Sequence, residues 1–115
     1  MKFHIGMTLE KVNELLLPND IPIVQDMNNG YLWIRGEFEI VSERIYTALC
    51  FKDSLLWMII IEPHLSTNVK REPFSVTQED YNVCKGWLDK HKEELPENAE
   101  VFYDKRTPSV GICIR

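Results

Sequence analysis

The chain has 115 residues, 44% of them hydrophobic and 27% charged. This fits one globular domain spanning 1–115, long enough to build a core without a disulfide, metal or cofactor. Thirteen basic against eighteen acidic residues leave a net charge of -5. That charge opposes binding to nucleic acid or to an anionic membrane and favours a basic protein partner.

The cysteines and the apolar runs predict a compartment. Cys50, Cys84 and Cys113 are odd in number, far apart and set in apolar stretches, which is typical of thiols that act as small hydrophobic residues in a reducing environment. The first residues lack the apolar core of a signal peptide. The longest purely apolar run, 55–61, is too short to span a bilayer. The sequence therefore predicts a cytoplasmic protein.

A first amphipathic helix is predicted over 8–17. Thr8 suits the N-cap position, because its hydroxyl can accept a hydrogen bond from a free N–H of the first turn. Pro18 ends the pattern. The apolar residues that recur at helical spacing are Leu9, Val12, Leu15 and Leu16.

A short strand and a turn follow. The segment 21–25 is predicted to be an edge strand, because Pro22 removes a backbone donor that a central strand would need. Asn28-Asn29-Gly30 then favours a turn, since asparagine and glycine accept positive φ at little cost.

Three strands are predicted next, over 31–40, 44–52 and 55–62. The connections 41–43 and 53–54 are of hairpin length. Strands joined by hairpins run antiparallel in sequence order, so the segment 31–62 is predicted to form a meander.

The C-terminal half adds a helix and a hairpin. The segment 63–74 is predicted to be a loop, and a second amphipathic helix over 77–95 would begin at a capping box headed by Thr77. Two strands around Thr107-Pro108 complete a hairpin over 100–114. The predicted fold is α+β: an antiparallel sheet of five to six strands with both helices mainly on one face.

Hairpin lengths also predict which residues share a sheet face, because directly paired residues do so. A three-residue loop would pair Ile40 with Arg44, and a two-residue loop would pair Cys50 with Trp57. The face under the helices would then carry Leu32, Ile34, Gly36, Phe38, Ile40, Tyr46, Ala48, Cys50, Trp57, Ile59 and Ile61. The other face would carry Tyr31, Trp33, Arg35, Glu37, Glu39, Thr47, Leu49, Phe51, Leu56, Met58 and Ile60.

The second face is too apolar for plain solvent and too charged for a core. Three explanations stay open. The C-terminal strands or the 63–74 loop cover it, a second copy of the chain packs on it, or a different protein binds there.

No catalytic or metal motif is found in the sequence. His4, His64 and His91 lack metal-ligand spacing, and Cys50 sits within an apolar strand, as a packing residue does. Glu37 and Glu39 lie on one strand face, where a row of solvated charges is the simpler interpretation than an acid–base pair. An alternative function is a small-molecule or enzymatic site in a pocket near His64 or His91.

Two resemblances bear on function. The segment Gly6-Met7-Thr8-Leu9-Glu10-Lys11-Val12 resembles the helix start of β-lactamase-inhibitor-like and outer-membrane assembly lipoprotein domains. Downstream, a predicted turn and strand replace the second early helix of those domains. Size, acidity and the helix-plus-meander plan are similar to small bacterial immunity proteins, which implies a protein that binds and neutralises one toxin without chemistry.

The function predicted from the sequence is a non-enzymatic protein-binding module, most concretely an immunity-type inhibitor of a basic toxin or nuclease. Aromatic and arginine side chains often dominate interface energy, and acidic neighbours would steer a basic partner. A structural homodimer is a further alternative. The predicted partner-binding residues are Tyr31, Trp33, Arg35, Glu37 and Glu39.

Overall fold

A computed structural model describes residues 1–66, 78–106 and 109–115. It confirms the α+β class, with one open, antiparallel sheet in the order β1-β2-β3-β4-β6-β5. The strands are β1 (Ile23–Asp26), β2 (Tyr31–Glu39), β3 (Arg44–Lys52), β4 (Leu55–Ile61), β5 (Glu100–Asp104) and β6 (Ser109–Ile114), and the helices are α1 (Leu9–Leu15) and α2 (Gln78–His91). Within the described residues, no helix combines the length and apolar character needed to cross a membrane.

The first helix begins where its cap predicts. The Thr8 hydroxyl accepts a hydrogen bond from the Lys11 N–H at 3.1 Å, which satisfies one of the unpaired donors of the first turn. Val12 is fully buried. The N-terminal segment packs beside it, where the rings of Phe3 and Phe38 meet edge to face at 6.1 Å.

The second helix is shorter than its apolar pattern predicts, because its last turn continues as a 3-10 helix over Lys92–Glu94. Cys84, His91 and Leu95 are buried along the predicted stripe. Residues 63–66 form a 3-10 turn where the sequence predicted an irregular loop. The rest of that loop, the Thr77 capping box and the Thr107-Pro108 turn lie outside the described residues.

The predicted edge strand and turns are present. β1 pairs only with β2 in the described sheet, and Asn28 and Gly30 adopt positive φ in the turn that joins them. Asp53 and Ser54 form the two-residue turn between β3 and β4.

The predicted register of β3 is wrong by one residue. Glu39, rather than Ile40, pairs with Arg44, because the connection has four residues and is closed by a hydrogen bond from the Ile40 N–H to the Glu43 carbonyl. Ile40 and Val41 are buried within it, so the loop is held against the core instead of forming a tight exposed turn.

A β-bulge adds a second shift. Lys52 pairs with Leu55 as predicted, but the register changes between Cys50 and Phe51, so Cys50 pairs with Met58 instead of Trp57. An extra residue in one strand of a pair produces this change. Together the two shifts reverse the predicted faces of these residues: Tyr46, Ala48, Cys50 and Trp57 lie away from the helices, and Thr47, Leu49, Phe51 and Leu56 lie under them.

The covered face holds the hydrophobic core, between the sheet and the two helices. Cys84 of α2 and Val12 of α1 belong to the same cluster as the sheet residues. The sheet residues of the cluster include Ile34, Phe38, Ile45, Leu49, Phe51, Leu56, Ile59, Ile61, Val110, Ile112 and Ile114. The C-terminal strands extend the sheet at its edge, so the explanation that these strands cover the other face is wrong, while most of the 63–74 loop lies outside the described residues.

Candidate functional site on the open sheet face

The face opposite the helices, here called the open face, is built from every second residue of the strands. No helix among the described residues belongs to it, since both helices join the core cluster of the covered face. The strand pairings place these side chains on it: Tyr31, Trp33, Arg35, Glu37, Glu39, Tyr46, Ala48, Cys50, Trp57, Met58, Ile60, Glu100, Phe102, Gly111 and Cys113.

The five residues predicted from the sequence form one row along β2. Tyr31, Trp33 and Arg35 are half-buried, whereas Glu37 and Glu39 are exposed. The Arg35 guanidinium lies 4.7 Å from the Trp33 ring centroid, a cation–π contact that holds both side chains flat against the sheet. The row is therefore an aromatic and cationic ridge that ends in two exposed carboxylates.

A second ridge comes from β4. The Trp57 indole N–H donates to the Cys50 sulfur at 3.2 Å, and the Trp57 ring meets the Tyr31 ring edge to face at 6.2 Å. Edge-to-face aromatic pairs are favoured by the ring quadrupoles. Trp57 thus reaches across β3 and joins the two ridges at one end of the open face.

Small residues lie between the ridges. Ala48 and Cys50 on β3 are almost fully buried, and the Trp57 indole lies against the Cys50 sulfur. Gly111 on β6 plays the same part, since a Cβ there would lie 3.1 Å from both the Phe102 ring and Ile60. The open face is well packed sideways even though no described helix covers it.

A groove of about 290 Å³ follows the strands β4, β6 and β5. Its apolar walls are Met58, Ile60 and Phe102, with Cys113 between them. Arg115, Glu100 and Asp104 add charge to its rim. Its size suits one or two side chains of a bound partner.

Glu62, just after β4, adds a half-buried carboxyl group to the open face. Burial raises its pKa to about 7, against the opposing effect of the Arg35 charge. Burial also raises the pKa of the Cys50 and Cys113 thiols, which disfavours the reactive thiolate. Near neutral pH the Cys50 and Cys113 thiols are therefore mainly protonated.

The histidines that might have lined a catalytic pocket lie elsewhere, against α2. His64 Nδ1 lies 3.4 Å from the Cys84 sulfur, and both side chains are buried. His91 packs on the Trp87 ring, with Glu94 3.1 Å from its Nδ1. Within the described ranges, no group of three metal-binding side chains is close enough to hold an ion.

Sequence reasoning placed the β2 row correctly but missed the residues beside it. Tyr46 and Trp57 were assigned to the core because of the two register shifts, and Phe102 was not assigned to a face. Only a three-residue loop before Arg44 was predicted from the sequence, whereas the four-residue loop in the structure places Tyr46 on the open face. The bulge has no evident signal in the sequence.

No protein-family model matches the chain, and neither the curated proteins nor the solved structures contain a match.

Proposed function

We propose that this protein is a non-enzymatic binding module that holds a basic protein partner against the open face. The observation that supports the proposal is a sheet surface with two tryptophans and an arginine on which no described helix packs. A sheet face that is exposed to water normally carries polar residues. Burial of the apolar groups of the open face by another molecule is therefore favourable, because it removes them from water.

The residue types also suit an interface. Tryptophan, tyrosine and arginine are the side chains that most often dominate binding energy. Trp33 and Arg35 are held by their mutual contact, so less conformational entropy is lost when a partner immobilises them. We infer that Trp33 is the central anchor, with Tyr31 and Arg35 beside it.

Charge gives the partner its chemical class. Glu37 and Glu39 project from the end of the β2 row, and the whole chain carries a net charge of -5. Exposed carboxylates at a rim raise the association rate of a basic partner more than they raise its affinity. Binding is therefore expected to weaken when salt concentration is increased.

A narrower form of this proposal is an immunity-type inhibitor of a basic toxin or nuclease in the cytoplasm. It is supported by the acidity of the chain and by three buried cysteine thiols. Inhibition of a nuclease purified from the same host would separate this narrower form from general protein binding.

The test is affinity capture from the native host with three forms of the chain. Wild-type protein should retain a basic protein that Trp33→Ala loses by about tenfold or more, as expected of an interface anchor. Ile5→Ala is the matched control, because Ile5 is an exposed apolar residue outside the strands, and it should retain the partner. Equal capture by all three forms would contradict the proposal.

A further inference from the structure

The edge strand β1 is the most exposed apolar element among the described residues. All four of its residues are exposed. Ile23 and Val24 are 66% and 58% accessible, and the flanking Ile21 and Met27 are 86% and 45% accessible. An apolar edge strand with an unpaired side is a template for another strand.

The hydrogen-bond pattern shows which backbone groups of β1 are available. The Met27 N–H donates to the Tyr31 carbonyl at 3.0 Å, and in an antiparallel pair the residues directed at the partner strand alternate. Ile23 and Gln25 therefore point their N–H and C=O groups at β2. Val24 and Asp26 point theirs outward, away from the sheet.

We propose that β1 pairs antiparallel with β1 of a second copy of this chain, with Gln25 of each copy opposite Gln25 of the other. Two six-stranded sheets would then form one continuous twelve-stranded sheet. The inference does not depend on the proposed partner, because it uses the sheet edge and leaves the β2 row and the groove uncovered.

The outward groups of β1 are self-complementary in this register. Val24 of one copy exchanges N–H···O=C bonds with Asp26 of the other, and the two-fold axis repeats the exchange, as in an isologous contact. On the open face, Ile23 meets Met27 of the second copy. Two of the most exposed apolar side chains thus cover each other.

Within β1, charge does not oppose pairing with a second copy. Asp26 is the one charged residue of β1, and its carboxylate already accepts a hydrogen bond from the Asn28 N–H at 2.9 Å. The two-fold register places Asp26 opposite Val24 of the second copy, so the two Asp26 side chains do not face each other. The other sheet edge, β5, lacks this property, because antiparallel self-pairing about Phe102 would set Glu100 against Asp104, and opposed like charges are destabilising.

The size of the contact sets its strength. Pairing of one short strand buries less than the roughly 800 Å² per partner of a stable interface. The dimer should therefore be concentration-dependent. Sedimentation equilibrium should show a weight-average mass that rises from monomer towards dimer as the concentration is raised to the millimolar range.

Disulfide trapping tests the register itself. In this arrangement residue 25 of one copy forms a non-hydrogen-bonded pair with residue 25 of the other, and their Cα atoms lie about 4.5 Å apart. A disulfide spans Cα–Cα distances of about 4.4–6.8 Å. Gln25→Cys should therefore give a covalent dimer on oxidation. Val24→Cys is the matched control, since residue 24 faces residue 26, and the wild-type chain gives the background from its buried thiols.

Loss of the outward donor tests the edge. Val24→Pro removes an N–H that points away from β2, so the β1–β2 bonds stay intact and dimer affinity should fall at least about tenfold. A wild-type chain that stays monomeric up to the millimolar range overturns the proposal. Equal cross-linking of Gln25→Cys and Val24→Cys also overturns the proposal. This comparison does not depend on whether the proline variant folds.

Discussion

The two faces of the sheet are built from the same strands but are stabilised by different contacts. Along β2, Ile34 and Phe38 are buried among aliphatic and aromatic neighbours under the helices, while the alternating Trp33 and Arg35 stack on each other on the open face. The covered face is held by burial of apolar groups, and the open face by side-to-side contacts within one layer. The proposed binding surface can therefore be altered without removing side chains from the hydrophobic core.

The largest effect is expected from truncation on the covered face. Leu49→Ala removes a fully buried side chain from the core cluster and should lower the free energy of unfolding by about 2–5 kcal/mol. Ile60→Ala is the comparison variant on the open face. It should lower the free energy of unfolding by about 1 kcal/mol, because Ile60 is half-buried. Urea unfolding measures both, and equal costs would mean that the open face is a second core.

Glu62 should make stability depend on pH. Its pKa is about 7 in the folded chain against 4.5 as its ordinary value, so the folded state binds the proton more tightly. The stabilisation is present below pH 4.5 and is lost as pH rises through about 7, by about 3 kcal/mol.

Glu62→Gln isolates that effect. The variant should lose the contribution of Glu62 between pH 4.5 and 7 and should be more stable than wild type at pH 8. Urea unfolding at several pH values measures the difference between the two proteins, which cancels the contributions of the other carboxylates. A difference that stays constant over this range would show that Glu62 titrates normally.

A smaller effect is expected where the open face is packed sideways. Gly111→Ala introduces a Cβ 3.1 Å from the Phe102 ring, from Ile60 and from the Ile61 carbonyl oxygen. Overpacking of this kind costs about 1–3 kcal/mol. Gly86→Ala is the matched control, because a Cβ there meets nothing within 4 Å and alanine is the better helix former. Thermal unfolding of the two variants should move in opposite directions.

The smallest effect on stability is expected at the proposed anchor. Trp33→Ala should lower the free energy of unfolding by about 1 kcal/mol, because the half-buried indole contributes only part of its area to the fold. The same variant should lose the partner. A loss of several kcal/mol in stability would instead mark Trp33 as a core residue.

Sequence reasoning was most successful where one strand decided the answer. Strict alternation along β2 fixed Trp33 and Arg35 on the face away from the helices. The faces of β3 and β4 depended on loop length and on a bulge. Ile40 and Val41 look like strand or turn residues in the sequence but are buried loop residues in the structure, and only tertiary packing distinguishes these cases.

The C-terminal hairpin shows a second limit. Its strands were predicted correctly, but the position of β6 beside β4 was not predicted. Nothing local in the sequence separates addition at the sheet edge from packing across the open face, because both bury the same apolar residues of β6. The groove along β4, β6 and β5 depends on that placement and was missed for the same reason.

Oxidative footprinting of the captured complex would show which face of the sheet the partner covers. Hydroxyl-radical labelling, read residue by residue with and without the partner, compares the two sides of the sheet in one experiment. We predict that the partner protects Trp33, Trp57, Met58 and Phe102 and leaves Tyr81 and Trp87 of α2 unchanged. Protection confined to the helices, with these open-face residues labelled equally in both samples, would show that the partner does not bind the open face.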